Sequence, residues 1–402
     1  MTICVVGLGY IGLPTALMLA SNGNEVLAVD YNKALVDKLR AGEVTFEEKG
    51  LPELFEAAHK NITFLYDYPD ADMYIVAVPT PYLADSKKVD AKFVCSAVEC
   101  VLGACRDGAI VVVESTVSPG TMDRYVRPVV ERSGRHVELA HAPERIIPGN
   151  MVYELVHNAR TIGADKTEIA ETVRGVYSTF CQGEIVLTDI RTAEMTKVVE
   201  NTFRDINIAY ANELLQICRS DGMDVYEIIR IANKHPRVNI LQPGPGVGGH
   251  CISVDPWFLV GDYPELAKLI GTARRINDGM PAFVLGRIHD IMQEKGMTDI
   301  GRVGLYGLTY KENVDDVRES PTLQLLECQA KHLAEPLKVY DPYVKRDVAK
   351  NQYHDLDKFL ADVDLVVVMV GHDEIKNNLD KLAGKVVLDT RNVCGGIERY
   401  TL

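Results

Sequence analysis

The chain has 402 residues, 47% hydrophobic and 25% charged, the make-up of an ordinary globular protein too long for one simple core. Its formal net charge of −14 argues against a nucleic-acid surface, which needs basic patches to displace counterions, yet leaves room for an anionic small molecule held by a few local cations. The 9 cysteines are scattered with no C-x-x-C pair, which fits reduced thiols rather than a disulfide framework or a zinc site.

The start, MTICVVGLGY, enters a strand pattern with no basic region and no long apolar run, so no signal peptide and a cytoplasmic location are expected. TICVVGLGY reads as a buried strand, TALMLASNG as a helix ending near Gly23, and EVLAVD as a second strand. MYIVAVP (73–79), AIVVVES (109–115) and VELAHAP (137–143) continue the alternation, which predicts a parallel, doubly wound sheet. From Arg191 to about Arg219, apolar residues recur at helical spacing without Pro or Gly, which predicts one long helix, a spine between two domains. Further helices are expected around 224–234 and 264–294. The strand signal returns in RVGLYGLTY (302–310), LKVYDP (337–342), DLVVVMV (364–370) and KVVLDT (385–390). The expected fold is therefore α/β: two Rossmann-like doubly wound sheets joined by a long central helix. The most apolar runs are too short to span a bilayer.

GLGYIG (7–12) fits G-x-G-x-x-G, follows a strand, opens a helix, and precedes Asp30 at the end of the next strand. Gly7 permits the tight turn, Gly9 lets a pyrophosphate approach the backbone, and Gly12 lets helix and strand pack closely. Tyr10 and Ile11 belong to the same loop. The helix N-terminus then faces the phosphates. Asp30 would accept hydrogen bonds from ribose hydroxyls and repel a 2′-phosphate, which favours NAD over NADP.

Cys251 lies behind PGPGVGG, where a bare backbone can approach a ligand closely. A thiolate is a strong nucleophile towards carbonyl carbon. His250 beside it has no second ligand cluster, so no metal is expected. An NAD site with a nucleophilic cysteine suits oxidation of an aldehyde through a thiohemiacetal and a thioester. Lys197 and Asn201 share a helix face and offer an ammonium and an amide for an oxyanion, although a solvated polar pair would look the same. Glu144, in the loop after a strand, is a candidate acid or base or else a surface ion-pair partner. A two-electron hydroxy-acid dehydrogenase would not need Cys251, and a non-catalytic nucleotide sensor would not need Cys251, Lys197, Asn201 and Asp255 together.

GLGYIG, VPTP (78–81), ESTVSPG (114–120), PERIIPG (143–149), K-x-x-x-N (197–201), PGPGVGGHCISVDP (243–256) and GLTYKENVDDVRESP (307–321) stand in the order found in the UDP-sugar 6-dehydrogenases. The chain resembles that family, the UDP-glucose/GDP-mannose dehydrogenases, over essentially its whole length. Its segments PERIIPGNMVYELVHNARTIG and HPRVNILQPGPGVGGHC are most similar to the branch acting on UDP-N-acetyl-D-mannosamine, with UDP-N-acetylglucosamine or UDP-glucose as the alternatives.

The resemblance implies oxidation of a sugar C6 alcohol to a carboxylate with two NAD molecules in succession and no metal. It implies Cys251 as the thioester-forming nucleophile, and Asp255 as a residue activating water or taking up protons. Lys197 and Asn201 become the oxyanion pair, and Glu144 acts in proton transfer through water and Thr116. Thr80 and Thr116 would line the nicotinamide side, and Arg318 would meet cofactor phosphate. Glu144, Arg145, Lys197, Asn201, Gly248, Lys311 and Arg391 would hold the UDP-sugar, with Arg237 reaching it from a neighbouring subunit. The implied organisation is an NAD-binding domain over 1–190, a central helical dimerisation and cysteine domain over 191–297, and a UDP-sugar-binding domain over 298–402, in a homodimer paired through the central helix. Ser253 and Tyr310 depart mildly from the family pattern and bear on rate or sugar preference.

Overall fold

The computed structural model describes residues 1–249, 251–331 and 336–402, so His250, weighed above as a metal ligand, lies outside the described residues. The chain forms two compact units, one of Met1–Glu200 with Trp257–Pro264, the other of Asn201–Pro256 with Glu265–Leu402.

The first unit holds an eight-stranded sheet. Its strands are β1 (Thr2–Val6), β2 (Glu25–Val29), β3 (Ile62–Leu65), β4 (Met73–Val76), β5 (Ile110–Val113), β6 (Glu138–His141), β7 (Arg160–Ala164) and β8 (Ile185–Thr188). They lie in the order β3-β2-β1-β4-β5-β6-β7-β8. Near-continuous Val, Ile and Ala runs suit strands covered on both faces. Leu13, Leu17 and Leu19 of the helix Gly12–Ser21 join one core, and Val94, Val98 and Val101 of the helix Lys92–Ala104 join the other.

Two strands depart from the expected parallel pattern, β7 and the β8 that pairs parallel to it, both running opposite to β1–β6. β7 runs antiparallel to β6, pairing Ala140 with Ala164 and His141 with Gly163. The loop after β6 and the short helix Met151–His157 return the chain to the same sheet end, instead of carrying it across as a parallel crossover would. Arg160, the first residue of β7, therefore starts at the carboxyl edge of the sheet.

The second unit holds a six-stranded parallel sheet in the order β11-β10-β9-β12-β13-β14. Its strands are β9 (Val303–Tyr306), β10 (Lys338–Tyr340), β11 (Gln352–Tyr353), β12 (Leu365–Val368), β13 (Val386–Asp389) and β14 (Tyr400–Thr401). One face packs on Met280, Val284, Ile288 and Ile291 of the helix Lys268–Glu294, and the other, which carries Tyr306 and Tyr340, packs on Phe359 and Ile375. Both expected sheets and the long helix, here Ile190–Ser220, are present. The helix expected from 264 begins at Lys268, because a separate short helix, Asp255–Asp262, precedes it.

Candidate functional site

In an open α/β sheet, ligands sit outside the carboxyl ends of the strands where the strand order reverses. In the first unit that point lies between β1 and β4. Gly7 takes φ +90°, and its amide donates to the Val29 carbonyl at 2.8 Å. A Cβ there would lie 2.6 Å from the Ala77 carbonyl oxygen. A Cβ on Gly12 would strike the Gly7 carbonyl, whereas one on Gly9 would meet nothing within 4 Å. Thus Gly7 and Gly12 are fixed by the chain itself, and Gly9 presents bare backbone to open space at a helix N-terminus. That is the cradle a pyrophosphate requires. The Asp30 carboxylate accepts the Leu8 and Asn32 amides, each at 2.8 Å, and so braces the loop while keeping lone pairs for ribose hydroxyls. Tyr10 packs on Phe46 with ring centroids 4.4 Å apart, and with Ile11 lies against the core.

The loops after β4, β5 and β6 converge on the same sheet edge. The Thr80 hydroxyl donates to the Thr116 carbonyl at 2.6 Å, and the Ser115 hydroxyl to the Val78 carbonyl at 2.6 Å. Buried Glu194 on the central helix accepts the Met122 amide at 2.8 Å and also the Gly120 amide. This ties the Thr116 loop to the helix turn that carries Lys197, itself 6% exposed. Burial pushes the Glu194 carboxyl up to about 7.

Glu144 is buried, accepts the Arg145 amide at 2.6 Å through Oε1, and is paired with Arg160 through Oε2. The Arg145 guanidinium donates to the Ala159 carbonyl at 3.0 Å and the Thr161 hydroxyl at 2.9 Å, and pairs with Glu200 at 2.7 Å. Its donors thus bind the loop after β6 to β7 and to the central helix.

The second unit carries the cysteine. Asn201 Nδ2 donates to Asp255 Oδ2 at 2.6 Å, and the Asp255 amide donates to the Cys251 carbonyl at 2.9 Å, so helix amide, aspartate and cysteine turn form one chain. The Cys251 residue is exposed. The glycines ahead of it admit neighbouring segments of this unit. A Cβ on Gly244 would lie 2.9 Å from Arg391 Nη1, and one on Gly248 would lie 2.5 Å from the Glu319 carbonyl oxygen and 2.6 Å from Tyr310 Cβ. The Gly249 amide donates to the Arg318 carbonyl at 2.9 Å, and the Gly244 amide to Asn212 Oδ1 at 2.9 Å. Asn212 is in turn held by Asn277, and Asn277 by Asp205, which pairs with Arg274 at 2.6 Å.

Among the expected substrate cations, Arg391 donates to the Met369 carbonyl at 3.1 Å, and its burial lowers its pKa. Lys311 follows β9, where its carbonyl accepts the Thr309 hydroxyl at 2.8 Å. Arg318 pairs with Asp316 at 2.6 Å. Arg237 is exposed in the loop after the helix Val225–Ala232.

The first unit holds Thr80, Thr116, Glu144, Arg145 and Lys197 with the phosphate loop; the second holds Asn201, Gly248, Cys251, Asp255, Lys311, Arg318 and Arg391, with Arg237 exposed in its loop. Sequence reasoning missed Arg160, Glu194 and the Asn212–Asn277 brace. Each is a polar residue in an apolar setting, and only the length of the run NARTIG hints that Arg160 opens a strand.

Models of the UDP-glucose/GDP-mannose dehydrogenase family match three stretches: the NAD binding domain over 1–181, the central domain over 191–279 and the UDP binding domain over 304–396. A UDP-N-acetyl-D-mannosamine dehydrogenase of Methanococcus maripaludis strain C7 is 43% identical over 97% of this chain and 92% of its own length. An NDP-N-acetyl-D-galactosaminuronic acid dehydrogenase of Ralstonia nicotianae is 40% identical over 98% of this chain and 96% of its own. Among solved structures, a UDP-N-acetyl-mannosamine dehydrogenase from Staphylococcus aureus superposes with a TM-score of 0.90 at 42% identity, covering 100% of this chain and 98% of that one. Among the described residues, no helix is long and apolar enough to cross a membrane.

Proposed function

This chain belongs to the UDP-glucose/GDP-mannose dehydrogenase family and is an NAD-dependent UDP-sugar dehydrogenase, and from that premise we propose that it oxidises the C6 alcohol of a UDP-N-acetylhexosamine, UDP-N-acetyl-D-mannosamine first, to the uronate. The observation that carries the four-electron chemistry is the exposed Cys251 turn, bonded through Asp255 to Asn201. A two-electron dehydrogenase has no use for a nucleophile at that point. The sugar assignment is supported by the names of the relatives in Methanococcus and Staphylococcus.

When bound, NAD accepts a hydride, once in each oxidation. The residues of this chain manage the carbon and the protons. Glu144, through water beside Thr116, takes the alcohol proton in the first oxidation. The Cys251 thiolate then adds to the aldehyde carbon to give a thiohemiacetal, whose alkoxide is steadied by the Lys197 ammonium and the Asn201 amide. Loss of the second hydride leaves a thioester. Water, activated by Asp255 and Glu144, adds to the carbonyl, and the C–S bond breaks to return the thiolate. One alcohol and one water thus yield two hydrides, a carboxylate and three protons. Thr80 lines the nicotinamide side, and Arg318 meets cofactor phosphate. Arg145, Gly248, Lys311, Arg391 and Arg237 serve the UDP-sugar, as charge-assisted contacts to a diphosphate would require.

The three-part division at 1–190, 191–297 and 298–402 goes with this reading. So does a homodimer through the central helix, supported by Phe203, Tyr210 and Ile217, exposed apolar residues seven apart on one helix face. A second reading, UDP-N-acetylgalactosamine as substrate, is favoured by the Ralstonia relative.

The test supplies NAD with UDP-N-acetylmannosamine, UDP-N-acetylgalactosamine, UDP-N-acetylglucosamine and UDP-glucose separately and counts NADH per sugar consumed. Two NADH per sugar, with the mannosamine preferred, is the expected result. One NADH per sugar would overturn the thioester route, and preference for another sugar would overturn the assignment. Cys251→Ser should abolish uronate formation, and light scattering should show the Phe203→Glu variant shifted to monomer.

A further inference from the structure

Behind Glu144 lies a charge cluster that the reaction scheme leaves unused. Arg160 is 3% exposed. One side of its guanidinium pairs with Glu144 Oε2, and the other meets Glu114 Oε1 at 3.2 Å. Tyr177 closes the cluster: its hydroxyl donates to Glu114 Oε1 at 3.0 Å, and its ring centroid lies 4.3 Å from the guanidinium carbon. Phe180 stacks on the guanidinium at 5.5 Å, and Cys181 stands nearby.

Two buried carboxylates face one buried cation. An unbalanced charge in a dry interior is costly, so the cluster favours holding one proton. Burial, with Glu144 adding to it against the opposing pull of Arg160, pushes the Glu114 carboxyl up to about 7. Burial alone would lower Arg160, and the two carboxylates more than offset it, so the cation stays charged. The geometry allows two states. With Glu114 protonated, the full charge of Arg160 falls on Glu144. With Glu114 ionised, that charge is divided between the two carboxylates and Arg160 holds Glu144 less firmly.

We propose that Arg160 is a positioning residue of the dehydrogenation, aiming the Glu144 carboxylate and sharing one positive charge between Glu144 and Glu114, so that the charge on buried Glu114 sets how firmly Arg160 holds Glu144 in place. This rests on the reading of Glu144 as a proton-transfer group. The antiparallel course of β7 is what brings Arg160 there, because a parallel strand would start at the opposite sheet edge.

The test compares the kcat–pH profiles of Glu114→Gln, Arg160→Lys and Glu144→Gln with the parent, in full-length enzyme with NAD and its UDP-sugar. Glu114→Gln keeps the shape and mimics the protonated state. The change in kcat as pH rises through about 7, where Glu114 loses its proton, should be absent from Glu114→Gln, with both KM values held within about twofold. Arg160→Lys keeps the charge but loses the planar fork, so kcat should fall about tenfold at unchanged KM. Glu144→Gln should lose about a hundredfold or more in kcat. If Glu144→Gln is impaired while Glu114→Gln keeps the parental profile, the inference is overturned and the role of Glu144 stands, even where Arg160→Lys does not fold. If Glu144→Gln is fully active, the underlying reading falls instead.

Discussion

The two sheets solve one backbone problem in the same way and then part. In each, a glycine follows the first strand at positive φ, Gly7 at +90° and Gly307 at +98°. Each donates its amide to the last carbonyl of the neighbouring strand, Gly7 to Val29 at 2.8 Å and Gly307 to Tyr340 at 2.7 Å. In each, an aspartate just past that strand accepts the next amide, Asp30 from Leu8 at 2.8 Å and Asp341 from Leu308 at 2.6 Å. The difference is what comes next. After Gly7 the chain enters a helix at Gly12, leaving helix amides for a pyrophosphate. After Gly307 it wanders to Pro321, presenting Lys311 and Arg318 and packing Tyr310 over the glycines before Cys251. A shared turn is thus scaffold, and the length and chemistry of the loop after it decide the ligand.

The comparison is tested most severely at the two glycines. A Cβ at Gly307 would lie 2.5 Å from Val370 Cβ, as close as the Gly7 clash. Gly7→Ala and Gly307→Ala should each cost about 1–3 kcal/mol in urea unfolding. Gly7→Ala should also raise the KM for NAD, and Gly307→Ala the KM for the UDP-sugar. If both variants raise the same KM, the division of labour is wrong.

The aspartates come next. Asp30→Ala should raise the KM for NAD about tenfold, through lost hydrogen bonds to ribose, and admit NADP. Asp341 has a different partner: His372 Nε2 lies 3.1 Å from its carboxylate. Burial would raise Asp341, but His372 and the backbone amides more than reverse this and hold it below the ordinary 3.8. Asp341→Asn should leave the KM for NAD unaltered.

The pH dependence sharpens the contrast, because the signs are opposite. A carboxyl held below its ordinary value adds stability above that value and loses it as pH falls. A carboxyl raised by burial adds stability below its ordinary value and loses it as pH rises through the folded value. The advantage of the parent over Asp341→Asn should therefore vanish as pH falls below 3.8. Any advantage of the parent over Glu194→Gln should shrink as pH rises from 4.5 through about 7. Thermal unfolding across pH 3–8 checks both, and slopes of one sign would break the contrast.

The smallest effect is expected at the opposite sheet edges, where each unit has an arginine, exposed Arg106 and half-buried Arg302, beside the aspartate that leads its fourth strand. Arg106 meets Asp72 at 3.3 Å, and Arg302 meets Asp364 at 2.7 Å. Such pairs are screened by solvent, so Arg106→Ala and Arg302→Ala should leave the unfolding midpoints indistinguishable from the parent.

The sequence by itself determined the phosphate loop, because GLGYIG between a strand and an apolar helix has few other physical solutions, and Asp30 ends the next strand. It determined both sheets and the central helix, since hydrophobic period follows from backbone geometry. It also singled out Cys251, Lys197, Asn201 and Glu144 as reactive types. Only the tertiary structure decided that β7 runs antiparallel and delivers Arg160 to Glu144, because strand direction depends on where the chain can re-enter a sheet, not on the strand's own residues. Only it decided what fills the space beside Gly244, Gly248 and Gly249: Arg391, Tyr310 and Glu319 come from segments far along the chain, and a glycine records that something approaches without naming it. Glu194 and Asn212 were likewise silent, since a buried polar side chain declares its purpose only through its partners.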